Sequence, residues 1–186
     1  VYGNIYSFSN PLWHETGHKT AFKSKFLNEF FYYISSFMSN FEPIRWRYTH
    51  FVHHGNTYST ENPFDHEIEY GNDLKKTPKR LIVNIIPFLD LVFIKKHISF
   101  EIFQHAFGIK TKVMKECIPE NAQAKVILSS RIYVVVWSLI ALSSILASSW
   151  MPILYFLLPH FYGNTLHKLV AFTQHAGLAR NIKDHR

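Results

Sequence analysis

Residues 126–146 read VILSSRIYVVVWSLIALSSIL, a run of 21 positions with one formal charge, Arg131. Wound as a helix rising about 1.5 Å per residue, this run reaches across the roughly 30 Å of hydrocarbon in a bilayer. Arg131 lies near its start, where a long cationic side chain snorkels to the headgroups. Ser148-Ser149 then predicts a tight turn, and residues 150–161 run back with Trp150 suited to the interface. The return is short by itself, so one helix is expected to continue through Asn164 and His167. Backbone groups in hydrocarbon need internal partners, which makes helices the expected spanning form. The fold class read from this segment is an all-α integral membrane protein with a transmembrane hairpin.

The flanking sequence fits that frame. Residues 81–94 (LIVNIIPFLDLVFI) are apolar but carry Asn84, Pro87 and Asp90, and are expected to lie at the interface or re-enter. Residues 26–41 (FLNEFFYYISSFMSNF) predict an interfacial or buried amphipathic helix, broken by Glu42-Pro43. Asn10-Pro11 predicts a turn before the first helix. Residues 55–80, with Gly55, Gly71, Pro63 and Pro78, predict a surface loop. The chain has 186 residues, enough for one domain with a core, and a net charge of +7. Cations beside apolar blocks fit a membrane face better than nucleic acid. Cys117 is the one cysteine, so neither a disulfide framework nor a cysteine zinc site is available. Ten Lys or Arg fall between residues 75 and 125 and none in the Ser148-Ser149 turn. The positive-inside rule therefore places the basic stretch in the cytoplasm and returns the chain after Phe161 to the same face. Val1 is not a Met, no signal peptide precedes it, and no stop-like tail closes the chain at Arg186, so a fragment cut at both ends is expected.

Two histidine clusters share that face: His14-Glu15-Thr16-Gly17-His18 and His50-Phe51-Val52-His53-His54. Spacings of i, i+4 and of i, i+3, i+4 put each set on one side of a helix. Five imidazoles on two helix faces can converge on a metal, and imidazole suits iron, zinc and copper. His14 to His18 also matches the His-Glu-x-x-His zinc protease pattern, with Glu15 as base, but that reading leaves the second cluster and the hairpin unexplained. The plainer alternative is a solvated, pH-sensitive helix face.

The series HETGH, HFVHH and, after the hairpin, QHAGLARNIKDHR resembles the membrane fatty acid desaturase and hydroxylase superfamily over almost the whole chain. Gln174-His175-Ala176-Gly177-Leu178 is similar to the element that follows the hairpin in integral-membrane alkane hydroxylases. Asp65-His66-Glu67-Ile68 and Asp184-His185-Arg186 resemble elements of the bacterial rhizopine-oxygenase-like branch, with His66 standing where that branch has proline. The resemblance implies one partial desaturase-like domain over residues 1–186. It implies a non-haem centre of two iron ions on the cytoplasmic face, with His14, His18, His50, His53, His54 and His175 as ligands. The family adds a last His-x-x-His-His box further on, so the chain as given is expected to hold iron incompletely. The implied activity is oxygen-dependent desaturation of a lipid acyl chain. Hydroxylation of an alkyl or small-molecule substrate on the same scaffold is the alternative, and a degenerate non-catalytic membrane protein a further one. Electrons come from an external donor of ferredoxin, rubredoxin or cytochrome b5 type. The partners are thus a lipid or alkyl substrate, the membrane and an electron-transfer protein, and the basic loops are suited to steering an acidic donor.

Other residues take supporting parts. Glu15 is placed to fix the tautomer of a ligand imidazole, and Asp65, Glu67 and Asp184 are candidates for the same duty or for loop charges and helix caps. His167 is read as a group beside the ligands or at the interface, with a ligand role as the alternative, Asn164 as a helix-surface residue or the holder of a metal-bound water, and His97, His105 and His160 as structural or solvated. His185 is read as paired with Asp184 or a backbone group, and Cys117 as a non-catalytic residue of a basic loop.

Overall fold

The computed structural model describes residues 2–61, 63–67 and 98–162, with isolated positions 78, 79, 82, 86, 89, 169, 170, 172, 173 and 181. Among them the regular structure is all α. The helices are α1 (Tyr2–Ser7), α2 (Ser9–Gly17), α3 (Lys25–Met38), α4 (Pro43–Gly55), α5 (Ile98–Ala106), α6 (Lys112–Cys117), α7 (Glu120–Leu146), α8 (Met151–Phe156) and α9 (Pro159–Tyr162). The segment 81–94 lies outside the described residues apart from positions 82, 86 and 89.

Local chemistry sets most boundaries. The Ser24 side chain accepts from Leu27 N–H at the start of α3, and Thr111 from Met114 N–H at the start of α6. Glu42 caps α4 by accepting from Ile44 and Arg45 N–H, and Pro43 fills the first helical position, where no N–H is missed. Glu42-Pro43 is therefore the start of α4 and not the stop of α3, which ends at Met38 with Asn40 at φ 57°. Asn10-Pro11 is not a turn: both residues lie in the first turn of α2, where proline is tolerated, and the interruption falls at Phe8.

The long helix α7 has 27 residues and is, among the described residues, the one helix long and apolar enough to cross a membrane. Its first half docks through Ala122, Val126, Ser130 and Tyr133. Met114, Cys117, Ile118, Ala122 and Val126 form a buried cluster, with Ile44, Tyr48 and Val52 of α4 packed on it. Leu128, Ile132, Val135, Leu139, Leu142 and Ile145 stay exposed. Arg131 Nε donates to Ala106 O at 3.0 Å, so this cation satisfies the end of α5.

At the end of α7, Ser148 N–H donates to Ile145 O and Ser149 N–H to Ser144 O, with Ser148 at φ 45°. This is a Schellman closure, with serine in the left-handed position that glycine usually holds. The chain reverses there, and Ile153 N–H reaches Ser144 Oγ. The single return helix expected from the sequence is not formed. α8 ends at Phe156 and α9 begins at Pro159, which lacks an N–H and disfavours helical backbone at Leu158.

Helix α3 is inside out. Asn28, Tyr32, Ser35 and Ser36 are its buried residues, while Phe26, Leu27, Phe30, Tyr33 and Ile34 are exposed, Phe26 at 73%. Three of the four are bonded: Asn28 Nδ2 donates to Phe22 O at 2.6 Å, Ser35 Oγ to Phe31 O, and Tyr32 OH to Pro43 O at 2.7 Å, while Ser36 Oγ has no partner among the described residues. The loop after α4 also departs from a plain surface loop, because Tyr58 and Asp65 are buried in it. Cys117 is the last residue of α6 and is buried, not in a loop.

Candidate metal centre

Helices α2 and α4 bring the two histidine clusters together. His14 projects from α2 and His18 is the residue that ends it, with Lys19 following at φ 63°. Gly17 eases this approach: a Cβ there would lie 3.1 Å from Cε2 of Tyr32, a tight contact. Tyr32 is held by its bond to Pro43 O, by Arg47, whose guanidinium carbon is 4.1 Å from the ring centroid, and by stacking on Trp13. Trp13 packs edge-on against His50 and Trp46. An aromatic core thus sets the spacing between the histidine helices.

One ring nitrogen from each of His14, His18, His50 and His54 lies within 4.8 Å of the others. The Nε2 atoms of His18, His50 and His54 form a triangle with edges of 3.2 Å (18–50), 3.1 Å (18–54) and 3.0 Å (50–54). Nitrogens bound to one metal at about 2.1 Å stand about 3.0 Å apart at right angles and about 3.4 Å apart at the tetrahedral angle. The triangle falls in that interval and fits one face of a coordination shell.

Buried carboxylates fix the rings. His50 Nδ1 lies 2.9 Å from Glu67 Oε2, and His53 Nδ1 lies 2.8 Å from Asp65 Oδ2. A carboxylate accepts, so Nδ1 carries the proton in each and the lone pair is left on Nε2. His14 Nδ1 donates to Glu15 Oε1 at 3.1 Å in the same way, at a more exposed site. Asp65 is fully buried and also accepts from Tyr58 N–H and Glu67 N–H. His66 turns away to Glu116 at 2.7 Å and ties the loop to α6.

Electrostatics keep the cluster ready for a cation. Burial, then the neighbouring His50, His18, His53 and His14, push the His54 pKa down to about 4. Burial, then His14 and His50, lower that of His18. Neutral imidazole is the form that binds metal, so proton competition is weak at neutral pH. For His53 burial acts downward, but the Asp65 bond and the charges of Asp65 and Glu67 outweigh it and raise the pKa. His53 lies beside the cluster, its ring centroid 5.9 Å from that of His50, and is not among the four converging residues.

The chain matches the fatty acid desaturase family over residues 1–186. It belongs to that family. No curated protein and no solved structure gives a match. The desaturase-family chain thus carries the histidine-box scaffold of a membrane oxidoreductase, with a cluster suited to metal. The neutral nitrogen donors and carboxylate-fixed tautomers fit the iron that the family implies.

Of the residues singled out in the sequence, His14, His18, His50 and His54 converge, and His53, Glu15, Asp65 and Glu67 surround them. His97, Asn164, His167, His175, Asp184 and His185 lie outside the described residues, as does the His160 side chain. His105 is buried, with Nε2 2.9 Å from Thr111 Oγ1. Sequence reasoning missed Trp13 and Tyr32 as spacers, and Arg45 and Glu101, a buried ion pair at 3.0 Å. The WHETGH string carries a faint sign of the first, since a Trp beside a ligand histidine has to pack somewhere. The ion pair leaves no local signal.

Proposed function

We propose that this desaturase-family chain is part of an oxygen-dependent, non-haem di-iron membrane enzyme that introduces a double bond into a lipid acyl chain. The observation that carries the proposal is the Nε2 triangle of His18, His50 and His54, built on a carboxylate-fixed His50. His14, His18, His50 and His54 would hold one iron, and His53 and His175 would join the ligand set with the box expected further along. Bound iron would supply dioxygen activation and hydrogen removal from an unactivated C–H bond. The protein's own part is orientation. Glu67 and Asp65 keep the protons of His50 and His53 on Nδ1, and Trp13 and Tyr32 hold α2 and α4 at the required separation. His18 and His54 are the more exposed members of the cluster. The outward faces of α3 and α7 would rest in the bilayer with the site on its cytoplasmic side, and the basic loops would receive an acidic electron donor.

The element from Gln174 to Leu178, similar to that of alkane hydroxylases, together with Asp65-His66-Glu67-Ile68, favours hydroxylation as the second reading, in the rhizopine-oxygenase-like branch. Expression of the full-length protein with a reducing system, iron analysis and mass spectrometry of the lipids decides between them. A new double bond supports desaturation and a new hydroxyl supports hydroxylation. An iron-free, inactive protein refutes both.

A further inference from the structure

The His50 ring is the end of a longer chain of buried and half-buried groups joined by hydrogen bonds. Glu67 Oε2 accepts from His50 Nδ1–H at 2.9 Å, and Glu67 Oε1 accepts from Thr49 Oγ1–H at 3.1 Å. Thr49 has one proton, for which the carboxylate of Glu67 is the nearer and charged acceptor and Trp46 O, at 3.3 Å, the other, and its oxygen accepts from Arg45 Nη1 at 3.2 Å. Arg45 Nη2 lies 3.0 Å from Glu101 Oε2. Glu101 Oε1 accepts from Thr111 Oγ1–H at 3.1 Å, and His105 Nε2 lies 2.9 Å from that hydroxyl. Thr111 gives its proton to Glu101, so His105 Nε2–H must be the donor to Thr111. The two carboxylates accept from both sides, and the two hydroxyls each pass one bond on. Thr49 is 1% exposed and Arg45 5%, so the middle of the chain is shielded from water.

We infer that Arg45, Thr49 and Glu101 are positioning residues for the His50 imidazole. Glu67 comes from a loop and has no helix to set its rotamer. Thr49, one residue before His50 on α4, holds the second oxygen of Glu67 so that the first faces His50 Nδ1. Arg45, one turn earlier, fixes the Thr49 hydroxyl as acceptor on one side and donor on the other. Glu101 anchors Arg45 from α5, which packs on α7 through Phe103 and Trp137. The chain thereby connects α5, which packs on α7, to the His50 ring by side-chain hydrogen bonds. Partner groups of this kind shift metal affinity by about 10- to 100-fold.

The inference rests on the metal-site reading, and one experiment separates the two. Full-length protein is stripped of metal and titrated with Co2+ alone, the d–d absorption reporting ligand number and affinity. Thr49→Val keeps the volume and loses the hydroxyl; Thr49→Ser loses a methyl and keeps the hydroxyl. Positioning predicts Co2+ affinity at least tenfold weaker in Thr49→Val and near the parent in Thr49→Ser, with Arg45→Met weakened like Val. Parental affinity in Thr49→Val overturns the inference, as does equal loss in Val and Ser, which would signal packing. A parent that binds no Co2+ removes the metal reading and the inference with it.

Discussion

Replacing Asp65 by Asn tests the clasp that holds the second histidine box. Asp65 is fully buried, and its oxygens accept from His53 Nδ1–H at 2.8 Å, Tyr58 N–H at 2.8 Å and Glu67 N–H at 2.9 Å. An amide has one accepting oxygen, so either orientation turns an NH2 group toward a buried backbone N–H. That orphaned donor costs about 1–3 kcal/mol, and each of two surviving bonds loses about 1 kcal/mol when its acceptor is no longer charged. The expected destabilisation is about 3–5 kcal/mol, a fall in apparent melting temperature on the order of 10 °C for a chain of this size. Metal-free, full-length protein in detergent, followed by tryptophan fluorescence on heating, measures it. Glu61→Gln, an exposed change on the same loop, is the control and should shift stability by no more than about 0.5 kcal/mol. If Asp65→Asn melts within about 2 °C of the parent, the three bonds do not hold the loop and the account of His53 orientation fails.

Gly17→Ala places a methyl 3.1 Å from a Tyr32 ring that is held on three sides, and should destabilise by about 1 kcal/mol even after the helix-propensity gain; urea unfolding measures it. Glu42 is buried against α7 and its pKa is raised by burial from 4.5 to about 7. A raised folded-state value means that stability is full below about pH 4.5 and is lost as pH rises through about 7, by roughly 3 kcal/mol. Glu42→Gln should remove that slope, read as the difference between parent and variant melts at pH 5 and pH 8. Leu139→Arg on the exposed face of α7 should oppose insertion by about 2.5–3.5 kcal/mol, measured by glycosylation mapping; unchanged insertion would show that α7 does not span.

What the sequence makes legible here is local. The histidine spacings, the long apolar run of α7 and the reversal at Ser148 are each written within a short stretch, so periodicity and turn chemistry find them. Asp65 and Glu67 are visible as candidate carboxylates, but which histidine each holds depends on how the loop folds back over α4. Arg45 to Glu101 spans 56 positions by residue number and joins two helices, so no window along the chain contains it. Asn10-Pro11 misleads because proline marks turns and helix starts alike. The return after Trp150 misleads because its hydropathy is continuous while Pro159 breaks the backbone. The polar inner face of α3 is the subtlest case, since an amphipathic pattern states that two faces differ and not which one turns inward.

That orientation has a thermodynamic consequence. α3 packs against both histidine helices, touching α2 through Tyr32 and Trp13 and α4 through Tyr32 and the Glu29–Arg47 pair at 3.0 Å. Its free energy depends on what covers Phe26, Leu27, Phe30 and Ile34, a surface whose burial is worth about 25 cal/mol per Å2. Whatever amphiphile wets that surface is therefore a ligand in the linkage sense, and any effect it has on the cation affinity of the cluster is matched by an equal effect of the bound cation on its own affinity.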